Sequence, residues 1–284
     1  MNTQNSKLQN KLENGLLIDS GEKGPTSVII AGIHGNEPCG VEAFLEVVPN
    51  LHIEYGKVIF VLGNPKALRE NKRSTELNLN RAFRPSRFYN KKQKSTYEYK
   101  RAQFLKKIFL KGDVALDIHS TRNPGKPFII CEKSGYGIVQ NFSKTFVRIV
   151  GGFGGVEPGA TDDFMGDNGK IGIGVECGQH NSPMAKEVAK SAIQAFLESR
   201  CHIKPTKKLK SLKREIIHIH SIHITKENFI PSRKFKDFEK ASKGTLLGTD
   251  GNTKITLKKD SIILFLHECK TPGEEAFLLA KKVK

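Results

Sequence analysis

The feature that most narrows the fold is a strand, helix, strand order between residues 27 and 62. Residues 27–33, Ser-Val-Ile-Ile-Ala-Gly-Ile, are apolar without alternation, as a strand buried on both faces must be, and they stop at a polar turn holding His34, Gly35, Asn36 and Glu37. Pro38 then opens a helix, since the N–H it lacks is one that a first turn leaves unbonded. Val41, Phe44, Leu45 and Val48 follow at helical spacing. Residues 57–62 form a second β-branched, apolar strand ending at Gly63-Asn64-Pro65. A helical crossover between two such strands joins them in parallel, so a parallel α/β sheet is expected.

The pattern continues along the chain. Helices are expected over 97–110 and 182–197, and strands over 114–118, 128–131 and 171–175. Residues 151–169, dense in glycine and acidic side chains, read as a long functional loop. A lysine-rich, proline-containing stretch at 201–213 reads as a linker or surface crossover. Beyond it, 216–224 alternates apolar with polar, 244–256 is turn-rich and 261–266 is a short strand, so this part reads as all-β. The expected division is a larger α/β domain over 1–203 and a smaller β-rich domain over 204–284.

Composition removes several classes of answer. With 37% hydrophobic and 27% charged residues the chain can bury a core. No stretch approaches the roughly 18 apolar residues of a membrane span, and the first thirty residues lack a signal-peptide pattern, so a cytoplasmic chain with no membrane partner is expected. Five scattered cysteines without a CxxC pair suggest neither a disulfide framework nor a cysteine zinc site. The net charge of +18 invites a nucleic-acid reading. The lysines are spread over the whole chain, however, without an RNA-binding aromatic signature, and a solvated basic surface without specific nucleic-acid binding is the better reading.

Chemistry-bearing residues collect where ligands bind in α/β sheets, at strand ends. His34 and Glu37 lie three apart in a glycine-containing turn, and His119 follows the strand over 114–118. Two histidines and a carboxylate leave a zinc position open, as catalytic sites do. Each has a bland alternative: His34 as a helix cap, Glu37 as a first-turn residue, His119 as a packing residue. Glu176 tilts the balance, because a carboxylate closing the apolar run 171–175 is expensive unless paired or employed. It suits the general base of an amide hydrolysis. Arginines for an oxyanion or a substrate carboxylate are available between residues 69 and 81. His218, His220 and His223 alternate along a strand and read as surface or packing residues.

Four motifs in order, Gly32-Ile33-His34-Gly35-Asn36-Glu37-Pro38, Leu79-Asn80-Arg81-Ala82-Phe83, Asp117-Ile118-His119-Ser120-Thr121 and Gly174-Val175-Glu176-Cys177-Gly178, resemble the succinylglutamate desuccinylase/aspartoacylase family. The likeness covers residues 27–200, and Pro272-Gly273-Glu274-Glu275-Ala276-Phe277 resembles the close of the short bacterial members. It implies a zinc-carboxypeptidase-like fold, a mixed, eight-stranded twisted sheet flanked by helices. It further implies one Zn2+ per chain on His34, Glu37 and His119, with Glu176 as general base toward a zinc-bound water. Arg73 would polarise the scissile carbonyl, Asn80 and Arg81 would grip the substrate's α-carboxylate, and Asp117 could orient a ligand. The implied activity is deacylation of a small N-acyl amino acid.

Two positions depart from the family. Asn78 stands where an aspartate is usual, and Gly166 stands where aspartoacylase carries the arginine that reads the substrate's side-chain carboxylate. Asp162, Asp163 and Asp167 nearby would disfavour an acidic side chain, unless they are simply a solvated turn. The competing functions are a zinc metallocarboxypeptidase acting on a peptide and a basic, non-catalytic nucleic-acid-binding protein.

Overall fold

The computed structural model describes residues 3–205 and 212–283. Helix α1 (Thr3–Asn14) leads into strands β1 (Leu16–Asp19) and β2 (Thr26–Ala31), and α2 (Cys39–Val47) crosses to β3 (Lys57–Leu62). Helices α3 (Pro65–Glu70), α4 (Lys91–Ser95) and α5 (Tyr97–Phe109) precede β4 (Val114–Thr121) and β5 (Phe128–Ile130). Next come α6 (Tyr136–Val139), β6 (Arg148–Gly151), α7 (Phe153–Val156), α8 (Thr161–Asp167), β7 (Ile171–Gln179) and α9 (Pro183–Ser199). The remainder is strands: β8 (Glu215–Ile224), β9 (Phe229–Pro231), β10 (Glu239–Ala241), β11 (Leu246–Asp250), β12 (Thr253–Thr256), β13 (Ser261–Leu264) and β14 (Glu275–Lys282).

Eleven of these strands form one mixed sheet in the order β1-β3-β2-β4-β7-β5-β6-β8-β14-β13-β10. Its centre, β3-β2-β4-β7, is parallel, and β5 runs antiparallel to β7. The resemblance implied eight strands and the sheet has eleven: seven come from residues before 204, and β8, β14, β13 and β10 extend it. The sheet runs through the expected 203/204 division, because β8 pairs with β6 on one side and β14 on the other. A separate sheet, β12-β11-β9, completes the C-terminal part.

Unalternating apolar strands are what a sheet covered on both faces requires. Ile29, Phe60 and Ile118 face Phe44 of α2 and Ala189, Ile193 and Phe196 of α9. Their neighbours Val28, Ile59 and Val61 point the other way, onto Ala102, Leu105 and Phe109 of α5 and Met165 of α8. Phe44 is fully buried with its ring 5.1 Å from that of Phe60, a burial worth about 1.5–3 kcal/mol.

Three expectations need correction. Residues 151–169 are not one loop but hold α7 and α8, because Asp163 Oδ2 accepts from Gly159 N at 2.8 Å and Ala160 N at 3.2 Å and so starts the second helix. Gly172 lets that helix lie on the sheet, since a Cβ there would fall 2.2 Å from Asp162 Cα. His119 and Glu176 do not follow their strands but lie within them, because β4 and β7 stay paired past both residues. The start of the expected linker is a surface crossover only in part: Cys201 and Lys204 are exposed, but His202 is buried, its Nε2 2.8 Å from Ser27 Oγ and its Nδ1 2.9 Å from Tyr55 O. Residues 206–211 of that linker lie outside the described residues. Among the described residues no helix is long and apolar enough to cross a membrane.

Candidate metal centre

The turn after β2 places the first two candidates. Gly35 packs directly on α3, where a Cβ would sit 2.1 Å from Ala67 C, so no other residue fits between His34 and Glu37 at this spacing. His119 reaches the same point from β4. The ligand atoms of His34, Glu37 and His119 all lie within 4.8 Å of one another, and all three side chains are buried. Glu37 bridges the rings, with Oε1 2.7 Å from His34 Nδ1 and Oε2 2.9 Å from His119 Nδ1. Ser120 N also donates to Oε2, at 3.2 Å.

The far nitrogen of each ring is held by an oxygen. His34 Nε2 lies 3.1 Å from Asn78 Oδ1, and His119 Nε2 lies 2.9 Å from Asp117 Oδ2. An acceptor on Nε2 keeps the proton there and leaves the Nδ1 lone pair for a metal, the outer arrangement that metal-binding histidines require. Burial, with Arg73 beside it, pushes His34 down to about 4, so that ring is neutral. Burial also opposes charge on His119, but Asp117 and Glu37 outweigh it and push the ring well up. Two carboxylates thus call for a cation between them, which is the demand a divalent ion meets. The donor set fits zinc.

Glu176 stands directly across from His119 in the β4 to β7 register. Its Oε2 is buried without a hydrogen-bond partner, and burial pushes its carboxyl up to about 8. Arg73 Nη1 lies 3.2 Å from His34 Nδ1 and 3.4 Å from Glu37 Oε1. Asn80 and Arg81 line the same cavity of about 530 Å³, so all seven site residues expected from the sequence come together. The guanidinium of Arg81 is engaged: Nη1 donates to Asn80 O at 2.7 Å, and Nη2 donates to Glu157 and, at 3.5 Å, to Glu275.

Several contributors were not read from the sequence. Glu98 of α5 accepts from Thr75, Glu76, Leu77 and Asn64, tying down the segment that carries Arg73 and Asn78. His180 also lines the cavity, with Nδ1 2.9 Å from Ser120 Oγ. Its position just beyond the Glu176 motif was an available signal. Phe265, His267 and Glu275 wall the cavity from the C-terminal part. His223, by contrast, is a packing residue, 3.0 Å from Asp250 and stacked on Phe277.

Residues 23–134 match the model of the succinylglutamate desuccinylase/aspartoacylase catalytic domain. A probable aspartoacylase of Prochlorococcus marinus is 35% identical over 104 residues, 33% of this chain and 34% of its own length. A succinylglutamate desuccinylase of Pseudomonas paraeruginosa is 36% identical over 70 residues, 23% of this chain and 21% of its own length. The chain therefore spans about a third or less of these curated relatives. A solved structure of succinylglutamate desuccinylase from Vibrio cholerae superposes with a TM-score of 0.77 at 17% identity, covering 95% of this chain and 86% of the other, a likeness of fold. Over residues 23–134, the stretch that holds the converging ligands, the chain is therefore similar to the succinylglutamate desuccinylase/aspartoacylase catalytic domain, and it shares the fold of that solved structure.

Proposed function

We propose that the chain is a zinc-dependent amide hydrolase that removes the acyl group from a small N-acyl amino acid. The observation that carries this reading is the unpartnered carboxylate oxygen of Glu176 opposite the His119 ligand, beside the converged His34, Glu37 and His119. Those three would hold Zn2+, which would supply Lewis-acid chemistry there. Glu176 accepts the proton of the attacking water and returns it to the leaving nitrogen. Arg73 sits beside the centre as a cationic donor toward the carbonyl oxygen as its charge develops. Asp117 and Asn78 fix the tautomers of the two histidines. Asn80 and Arg81 flank the amine half of the substrate.

A peptidase using the same centre is the second reading. Closure of the cavity by Phe265, His267 and Glu275 supports the smaller substrate. The deciding experiment is elemental analysis of the purified protein together with amine release from N-acyl amino acids and from short peptides, in the parent and in Glu176→Gln. One zinc per chain in both proteins, with turnover of the N-acyl amino acids falling by about 10²–10⁴ in the variant, is expected. Absence of zinc after reconstitution, or turnover of peptides alone, would overturn it.

A further inference from the structure

The chain as a whole is strongly basic, at +18, yet its cavity is acidic. Among the described residues three arginines, Arg73, Arg81 and Arg122, and no lysine line it, against eight carboxyl groups. Five of these, Glu157, Asp162, Glu268, Glu274 and Glu275, are neither the candidate ligand nor its immediate support. Even with a divalent ion in place, five positive charges face eight carboxyl groups. A basic chain had lysines in abundance to balance them, and none is placed there.

The imbalance is local. Glu157 and Glu275 share the single guanidinium of Arg81, so this trio carries one carboxylate in excess. Asp117, only 2% exposed, uses Oδ2 for His119 and for Thr161 Oγ1 at 2.6 Å and leaves its buried Oδ1 in the cavity wall without a partner. A buried acceptor with no donor calls for one from a water, an ion or a ligand. Burial pushes Asp162 up to about 7, with Asp163 and Asp117 adding to it, and burial with a hydrogen bond to Glu275 pushes Glu157 up to about 8. Glu157 shares its one cation with Glu275, and among the described residues Asp162 forms no ion pair. A carboxylate ligand would compete with two protein carboxylates for Arg81, whose remaining Nε is itself buried.

Resting on the deacylase reading above, we infer that the amine half of the substrate carries a positive charge of its own, with Glu157, Asp162 and Glu275 forming the subsite that receives it. The substrate is then the N-acyl derivative of a diamine or basic amino acid. In the reaction the acyl carbon to nitrogen bond breaks and the water oxygen bonds to the acyl carbon. The acyl group leaves as a carboxylate and both protons of the water end on the released amine, which leaves as an ammonium, so no further reactant is needed. Asp162 and Glu275 act as specificity-determining residues, not as members of the proton path.

The test compares kcat/KM of the zinc-loaded protein for Nα-acetylornithine, its uncharged ureido counterpart Nα-acetylcitrulline, and N-acetylaspartate. Acetylornithine is expected to lead acetylcitrulline by about tenfold or more, the size of one partly desolvated charge pair, with N-acetylaspartate last. Glu275→Gln should shrink the ornithine to citrulline ratio several-fold, and Asp162→Asn gives the same readout if Glu275→Gln does not fold. Turnover that is equal for the three, or that favours the uncharged or acidic substrate, overturns the inference and leaves the deacylase reading standing. Release of amine from none of them, with zinc bound, removes the deacylase reading and this one with it.

Discussion

Replacing Glu98 by alanine should damage the site without touching it. The side chain is fully buried in α5 and accepts from Thr75 N and Thr75 Oγ1, each at 2.7 Å, from Asn64 Nδ2 at 3.2 Å, and from Glu76 N and Leu77 N, each at 3.3 Å. A buried donor left without its acceptor costs about 1–3 kcal/mol. Thr75 and Leu77 are only partly buried and Glu76 is exposed, so water can reach some of these donors and the costs do not add in full. A loss of about 3 kcal/mol follows, which for a chain of 284 residues lowers the melting temperature by about 5 °C. The released segment carries Arg73 and Asn78, so zinc affinity should fall as well. Glu98→Gln, which keeps an acceptor but loses the charge, should fall between. Melting by circular dichroism and zinc competition with a chelator measure both effects. A Glu98→Ala protein that melts within about a degree of the parent and holds zinc equally well would refute the argument.

Two further outcomes follow from the geometry. Asp117→Asn keeps the shape beside His119 but weakens the acceptor on Nε2, and should reduce zinc affinity about 10- to 100-fold in chelator competition, while unchanged affinity would remove Asp117 from the support of the centre. Glu157 and Asp162, pushed up to about 8 and about 7, hold their protons in the fold where the unfolded chain has lost them. The fold is therefore undisturbed by them below about pH 4 and loses stability as pH climbs toward about 8. Thermal melts of metal-free protein should show Glu157→Gln gaining on the parent between pH 5 and pH 8. A gap that narrows over that range would contradict the shift.

The parts of the molecule legible in the sequence are those where one short segment contains its own explanation. Residues 57–62 are apolar throughout because both faces of β3 are covered, and the strand has those limits. His34, Glu37, His119 and Glu176 stood out because each interrupts or closes an apolar run, where a polar side chain must have a use. Arg81 shows the opposite case. Its partners Glu157 and Glu275 lie 76 and 194 residues away in the chain, and nothing near any of the three indicates the pairing. Glu98 reads as a solvent-facing helix residue, because its ligands come from a segment that is irregular until the glutamate organises it. The helices α7 and α8 were missed for a related reason: glycines and aspartates signal a turn by composition, whereas here Asp163 caps a helix and Gly172 admits it to the sheet.

The division between local and distant partners bears on what family likeness can carry. All three candidate ligands, with Arg73, Asn80 and Arg81, fall inside the matched residues 23–134. Metal coordination demands atoms at fixed separations, so a chain that keeps a β2 turn and a β4 strand in register reproduces that centre whatever it acts on. Glu176 lies beyond the matched stretch, and so do Glu157, Asp162 and Glu275. These last reach the cavity from α7, α8 and β14, and only β14's place in the extended sheet brings Glu275 to Arg81. This wall of the cavity is therefore assembled from segments outside the stretch that the family model matches, and its charge has to be read from this chain. These carboxyl groups stand in a chain whose net charge is +18, so an acidic cavity wall is not a by-product of the surface and follows from where these particular residues are held.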